Sequence, residues 1–167
     1  MDNIEKEIGR TFGGRLRVRV NGVLIEEDKI LLIQHKMSED RAFWAVPGGG
    51  MDYGSDVISN LRREFLEETG LEVAVKDFLF VYEFLEPPLH ALEIYFEVEK
   101  IAGELKIGTD PELEGGAQII VDLAFLNVEE IAKIKNEEKH RLFRELKSLN
   151  EIRMWKGYFN FGNKCIK

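Results

Sequence analysis

The 167-residue sequence predicts a single domain of the α/β class. Three observations carry this. Stretches rich in Val, Ile, Leu and aromatic residues occur between 14 and 36 and again between 71 and 99. One amphipathic helix lies between them, at about 55–69. A composition of 44% hydrophobic and 32% charged residues supports a core of ordinary size.

The elements follow in order. In residues 14–36, Arg15, Arg17 and Arg19 interleave with Leu16, Val18 and Val20, and Ile30-Leu31-Leu32-Ile33 follows after Glu26-Glu27-Asp28. This alternation predicts the two strands of one hairpin. Arg41–Val46 leads into Pro47-Gly48-Gly49-Gly50, whose glycines reach backbone conformations closed to other residues. From about Ser55 to Thr69, Ile58, Leu61 and Phe65 recur at helical spacing, with Ser55 placed as N-cap and Gly70 as C-cap. Strand-like stretches at about 71–85 and 89–99, separated by Pro87-Pro88, are expected to pair. A glycine-rich loop then leads to strand-like residues 118–125. Asn127 and Glu130 form a capping box for helical material that runs, broken near Asn136, to about Leu149. The C-terminal Trp155, Tyr158, Phe159 and Phe161 are too aromatic for a free tail and should pack, a second subunit being one place to do so; this motivates the expectation of a homodimer. The domain thus reads as a core over about 14–135, followed by a C-terminal helix and aromatic tail over about 136–167.

Composition excludes several function classes. A net charge of −8 repels nucleic acid at long range, so no nucleic-acid partner is expected. No apolar run approaches the ~20 residues of a membrane span, and the first residues lack the apolar stretch of a secretory signal, which predicts a cytoplasmic location. Cys165 stands alone, and His35, His90 and His140 are not spaced as metal ligands, so any metal must be held by oxygen.

The chemistry is concentrated on the central helix. At about 100° per residue, Glu64, Glu67 and Glu68 fall within about 100° of one another, a stripe bordering the face of Ile58, Leu61 and Phe65. Carboxylates at i, i+3 and i+4 repel one another, more so where water is removed. Arg63, four residues before Glu67, can neutralise or orient one of them but not all three, and a divalent cation would complete the balance. Magnesium suits such hard oxygen ligands and leaves positions for substrate phosphates. A lone Glu-x-x-Glu-Glu would otherwise read as an ordinary solvated face.

Residues 49–71 resemble the Nudix box, G-x5-E-x7-R-E-U-x-E-E-x-G-U with U apolar. Gly49, Arg63, Glu64, Phe65, Glu67, Glu68, Gly70 and Leu71 fill eight of its nine defined positions, and Ser55 stands where the first glutamate would be. The resemblance extends over residues 14–135. It implies a Nudix-type α/β/α sandwich with a mixed β-sheet, acting as a pyrophosphohydrolase on a nucleoside diphosphate derivative with Mg2+ or Mn2+. Carried over, it makes Glu64, Glu67 and Glu68 the metal ligands, with Gly49 lending a carbonyl and Arg63 orienting the carboxylates. The base would be Glu64 or a later loop acid, for which Glu112 and Glu114 are candidates about 40 residues beyond Glu68. Ser55 removes one acid, and Asp52 and Asp56 are the nearby substitutes. Its loss leaves open a non-hydrolysing nucleotide-binding or regulatory module as the alternative, with a structural domain whose acids are merely surface as a second.

Weaker signals concern substrate. Some ADP-ribose-cleaving members of the family have a proline about 16 residues past the box. Pro87 sits 16 after Leu71, which favours ADP-ribose slightly over a nucleoside triphosphate, although a turn would use proline anyway. Gly48 and Gly49 are candidates for close approach to substrate. Arg19 is a candidate phosphate contact, although the arginine row reads first as a solvent-facing basic strand. Trp44, Phe43 and Tyr82 offer faces for a nucleobase, core packing being their commoner use. His35 and His90 are assigned no catalytic role.

Overall fold

Strand alternation and helix caps build two sheets in the computed structural model, which describes residues 2–108 and 119–160. A first helix, α1 (Asn3–Phe12), opens on an Asp2/Glu5 capping box. It is followed by β1 (Leu16–Val23), β2 (Ile25–Glu26), β3 (Lys29–Lys36), β4 (Ala42–Ala45) and β5 (Gly48–Gly50). Next come the central helix α2 (Val57–Thr69) and the long strands β6 (Leu71–Glu86) and β7 (Leu89–Gly103). The described chain closes with β8 (Ile120–Leu126), α3 (Val128–Lys133), two short 3-10 turns, α4 (Leu149–Met154) and β9 (Gly157–Phe159).

One sheet has the order β5-β1-β7-β6-β9 and is mixed: β1 runs parallel to β7, and β9 parallel to β6, while β5 and the β6/β7 pair are antiparallel. The second is antiparallel, with β3 flanked by β8 on one edge and by β2 and β4 on the other. Phe80, Tyr82 and Tyr95 of the first sheet and Ile30, Leu32 and Trp44 of the second share one core, which the α3–α4 segment helps close. In a second cluster, Leu61 and Phe65 of α2 pack with Val20, Leu71, Val73 and Val98 of the mixed sheet and with Leu31 of β3. With α2 on one cluster and the α3–α4 segment on the other, the two sheets lie between helices, which is the expected α/β/α sandwich with a mixed sheet. Among the described residues no helix is long and apolar enough to cross a membrane.

Four expectations are corrected. Residues 14–36 do not form one hairpin: β1 and β3 belong to different sheets, and the hairpin is the short β2/β3 pair closed by Glu27 and Asp28, both at positive φ. The alternation identifies strands but not their partners. The N-cap of α2 is Asp56, whose side chain accepts from Ser59 N–H, and not Ser55. We expect Asp56→Ala to lower Tm measurably and Ser55→Ala to leave it unchanged, as read by thermal denaturation. Ile58 is 41% exposed, and the buried face of α2 instead takes in Asn60, Glu64 and Glu68 beside Leu61 and Phe65. Finally, the helical material after Asn127 breaks near Asn136 as expected, but beyond the break only two 3-10 turns form, and the next α-helix, α4, starts at Leu149 where the helical run was expected to end.

Other expectations hold. β6 and β7 pair over nearly their whole length, Gly70 caps α2 at φ 73°, and Asn127 and Glu130 complete their capping box. The aromatic tail packs on its own chain: Trp155 and Phe159 meet Phe80 edge-on at 5.4 and 5.7 Å between ring centroids. The described part of that tail therefore has an intramolecular partner, and Phe161 lies outside the described residues.

Candidate active site

The glycine strand is built against the glutamates. Gly48 N–H donates to Glu68 Oε2 at 2.9 Å, and a Cβ on Gly49 would lie 2.3 Å from the Glu64 carboxyl carbon. Only glycine lets β5 lie this close to two carboxylates. Asn60 joins the two elements further, donating to Gly50 O at 3.0 Å and accepting from Asp52 N–H at 3.1 Å. Glu64 and Glu68 are 3% exposed, whereas Glu67 is half-buried; the acidic stripe is thus largely inside the buried face instead of bordering it.

Arg63 organises the remaining acids. Its guanidinium donates to Glu64 Oε1 and Glu67 Oε2 at 2.7 Å and to Asp52 Oδ2 at 2.8 Å. Burial works against its charge, but Glu64, Glu67 and Asp52 more than restore it and raise its pKa. Glu68 lies outside this cluster and is held by Gly48, with His35 Nε2 at 3.8 Å. One guanidinium therefore faces three carboxylates while a fourth is buried beside them, a surplus of negative charge whose donors are all hard oxygens. That set fits a divalent cation. Among the described residues, however, no three His, Cys, Asp or Glu side chains are gathered closely enough to ligate one ion, so the fit rests on donor chemistry and charge balance. Glu112 and Glu114 lie outside the described residues.

A cleft of about 830 Å³, counting its open mouth, runs between the sheets from Glu64, Glu68, Gly48 and Gly49 past Arg17, Arg19 and His35. Arg17 and Arg19 therefore do not lie on a free solvent face, whereas Arg15 is exposed as expected. Arg19 donates to Gly48 O at 2.9 Å, with its Nε 3.9 Å from Glu93 Oε1, and Arg17 lies over the Phe12 ring at 4.7 Å. Gly48 has both its amide and its carbonyl committed, to Glu68 and Arg19. Trp44 is buried in the core, whereas its neighbour Phe43 lines the cleft; Tyr82 is core as well.

Sequence reasoning missed Glu93 and His140. Glu93 is buried on β7 and accepts from Tyr95 O–H at 2.8 Å and from His140 at 2.9 Å. Leu142 N–H points at His140 Nδ1, so the imidazole proton sits on Nε2 and is donated to Glu93. Burial pushes Glu93 up, but His140, Arg19 and Tyr95 outweigh it and hold the carboxyl below its ordinary range. A lone acid inside Leu92-Glu93-Ile94-Tyr95-Phe96 was a readable signal for the first; nothing local marked His140. We expect Gly49→Ala to displace the Glu64 carboxylate, cutting activity more than ~10-fold with the fold kept, as read by steady-state kinetics beside circular dichroism.

The sandwich thus presents a helix with buried carboxylates to a cleft that also holds arginines. The NUDIX domain family model matches residues 15–146, and the chain belongs to that family, whose hydrolases generally use divalent cations. An ADP-ribose pyrophosphatase of Methanocaldococcus jannaschii is 40% identical over 95 residues, 56% of each chain. An 8-oxo-dGDP phosphatase of Homo sapiens is 40% identical over 60 residues, 36% of this chain and 19% of that protein. The chain therefore spans about half the length, or less, of these curated relatives. A solved NUDIX hydrolase from Nitrosomonas europaea has the same fold at TM-score 0.65 and 21% identity, covering 77% of this chain and 84% of that one.

Proposed function

We propose that the protein hydrolyses the phosphoanhydride bond of a nucleoside diphosphate derivative, with ADP-ribose favoured. The carrying observation is the cleft that brings buried Glu64 and Glu68 together with Arg17 and Arg19. The name of the Methanocaldococcus jannaschii relative supports the choice of ADP-ribose.

A magnesium or manganese ion held by Glu64, Glu67 and Glu68, with the Gly49 carbonyl, would supply positive charge against the diphosphate oxygens and acidify attacking water. Arg63 holds Glu64 and Glu67 in place, and Gly48 fixes Glu68. Arg19, held at the cleft wall by Gly48 O, would offer its guanidinium to the diphosphate, with Arg17 beside it. Glu64 or Glu112 takes the proton from water. The water oxygen bonds to one phosphorus, the anhydride P–O bond breaks, and ADP-ribose leaves as AMP and ribose 5-phosphate.

Incubation with ADP-ribose, UDP-sugars and nucleoside triphosphates in the presence of magnesium, with separation of products, tests this reading. AMP and ribose 5-phosphate are the expected products. Tight nucleotide binding with no cleavage of any of these compounds would instead support the non-hydrolysing module that Ser55, in place of the first box glutamate, suggests.

A further inference from the structure

We infer that Glu93, itself held by His140, is a positioning residue for the glutamate site: it fixes the Arg19 guanidinium, which in turn braces the glycine strand on which Glu68 is seated. This deepens the hydrolase reading and rests on it.

One run of polar contacts makes the connection. Glu93 Oε1 lies 3.9 Å from Arg19 Nε, and Arg19 Nη2 donates to Gly48 O at 2.9 Å. Gly48 N–H donates in turn to Glu68 Oε2 at 2.9 Å. Gly48 is therefore gripped on both of its peptide groups, by Arg19 on one and by α2 on the other. The grip matters because β5 is a three-residue edge strand, paired within its sheet only with β1. Gly48 has φ 153°, and a Cβ there would fall 2.2 Å from Val20 O, so the strand has no side chain at this point to anchor it. The next residue, Gly49, is the one packed against the Glu64 carboxyl group, so a shift of β5 disturbs both glutamates.

Fixing a side chain as long as arginine costs rotamer freedom, and a carboxylate beside it offsets that cost best when it is itself immobile. Glu93 meets this condition. Its Oε2 accepts from both Tyr95 O–H and His140 Nε2–H, while Oε1 is the oxygen next to Arg19. His140 is buried and fixed in its own right: its backbone N–H donates to Trp44 O at 2.8 Å, its Nδ1 accepts from Leu142 N–H at 3.2 Å, and Tyr82 meets the ring edge-on at 4.8 Å between centroids. An apolar group would fill such a place in the core with equal or greater stability. What the carboxylate adds is a fixed charge on the cleft wall beside Arg19.

Glu93→Gln tests this, since the amide keeps an oxygen to accept from Tyr95 and His140 but offers Arg19 no charge. In steady-state kinetics on ADP-ribose, at a temperature where circular dichroism shows the fold intact, kcat should fall at least ~10-fold through misplacement of Glu68. KM should stay unchanged or fall, because the cleft gains positive charge. In an Arg19→Lys background the same substitution should change kcat by less than ~3-fold, the path through the guanidinium being already broken. Glu93→Asp, which keeps the charge but draws it back by one methylene, replaces Glu93→Gln if that variant does not fold, with the same split expected. Unchanged kcat in a folded variant, a loss carried by KM alone, or losses that add in the double variant overturn the proposal. If the wild type cleaves none of the compounds tried, the hydrolase reading fails on its own. The network is then judged by the Gly48 amide resonance in 1H–15N spectra: a shift in Glu93→Gln that matches the one in Arg19→Lys supports it, and an unmoved Gly48 amide overturns it.

Discussion

Glu68→Gln is expected to lower kcat by at least ~100-fold while leaving the fold intact. Loss of a residue that merely supports a metal ligand typically costs about 10–100-fold, so loss of a ligand's own charge should exceed that range. The substitution is nearly isosteric, and the new amide oxygen can still accept from Gly48 N–H, so the β5–α2 contact survives. What disappears is one negative charge buried at 3% exposure, together with its affinity for a cation. The measurement is steady-state turnover on ADP-ribose across a magnesium titration, with Tm alongside. Near-normal rates at all magnesium concentrations would remove Glu68 from the site. Glu67→Gln should also lower turnover, by less, because Glu67 is half-exposed and shares Arg63 with Glu64.

The second large effect is structural. Glu93→Ala should cost about 3–5 kcal/mol of stability at pH 7, because it strips the shared acceptor from a buried tyrosine hydroxyl and a buried imidazole N–H and removes the carboxylate opposite Arg19. Against a typical total of 5–15 kcal/mol this is a large fraction. The penalty depends on pH in a stated direction. The folded pKa of Glu93 is held below its unfolded value near 4.5. The stability gained from its ionised form is therefore complete above that unfolded value and is lost as pH falls through the folded one. Urea unfolding at pH 7, 5, 4 and 3 should show the gap between wild type and Glu93→Ala narrowing on the acid side. A gap below ~1 kcal/mol at pH 7, or one that does not change with pH, would contradict the network drawn here.

Much of the fold was legible because its signals are short-range. The β6/β7 hairpin, the Gly70 cap and the Asn127/Glu130 capping box depend on residues a few positions apart. So does the spacing that sets Arg63 against Glu67. The candidate site was partly legible for the same reason: one helix carries Glu64, Glu67 and Glu68, and the glycines that accommodate them arrive fifteen or so residues earlier. Two local readings still failed. Ser55 and Asp56 are both good N-caps in adjacent positions, and only the observed backbone chooses between them. Ile58 is apolar at helical spacing, but the helix turns Asn60 inward to meet Gly50, which rotates Ile58 toward solvent.

Taken alone, then, the chain's order of residues established the strands, the central helix, its glutamate stripe and the family pattern, since each is encoded by periodicity or fixed local spacing. Tertiary contact decided which strands are neighbours, sending β1 to pair with β7 more than seventy residues away while β3 joined the other sheet. It also sank Glu64 and Glu68, brought His140 to Glu93 across 47 positions and laid α1 over the cleft. Alternation tells which side chains share a face but not what that face meets, and a contact between distant segments is selected only when the whole core closes around it.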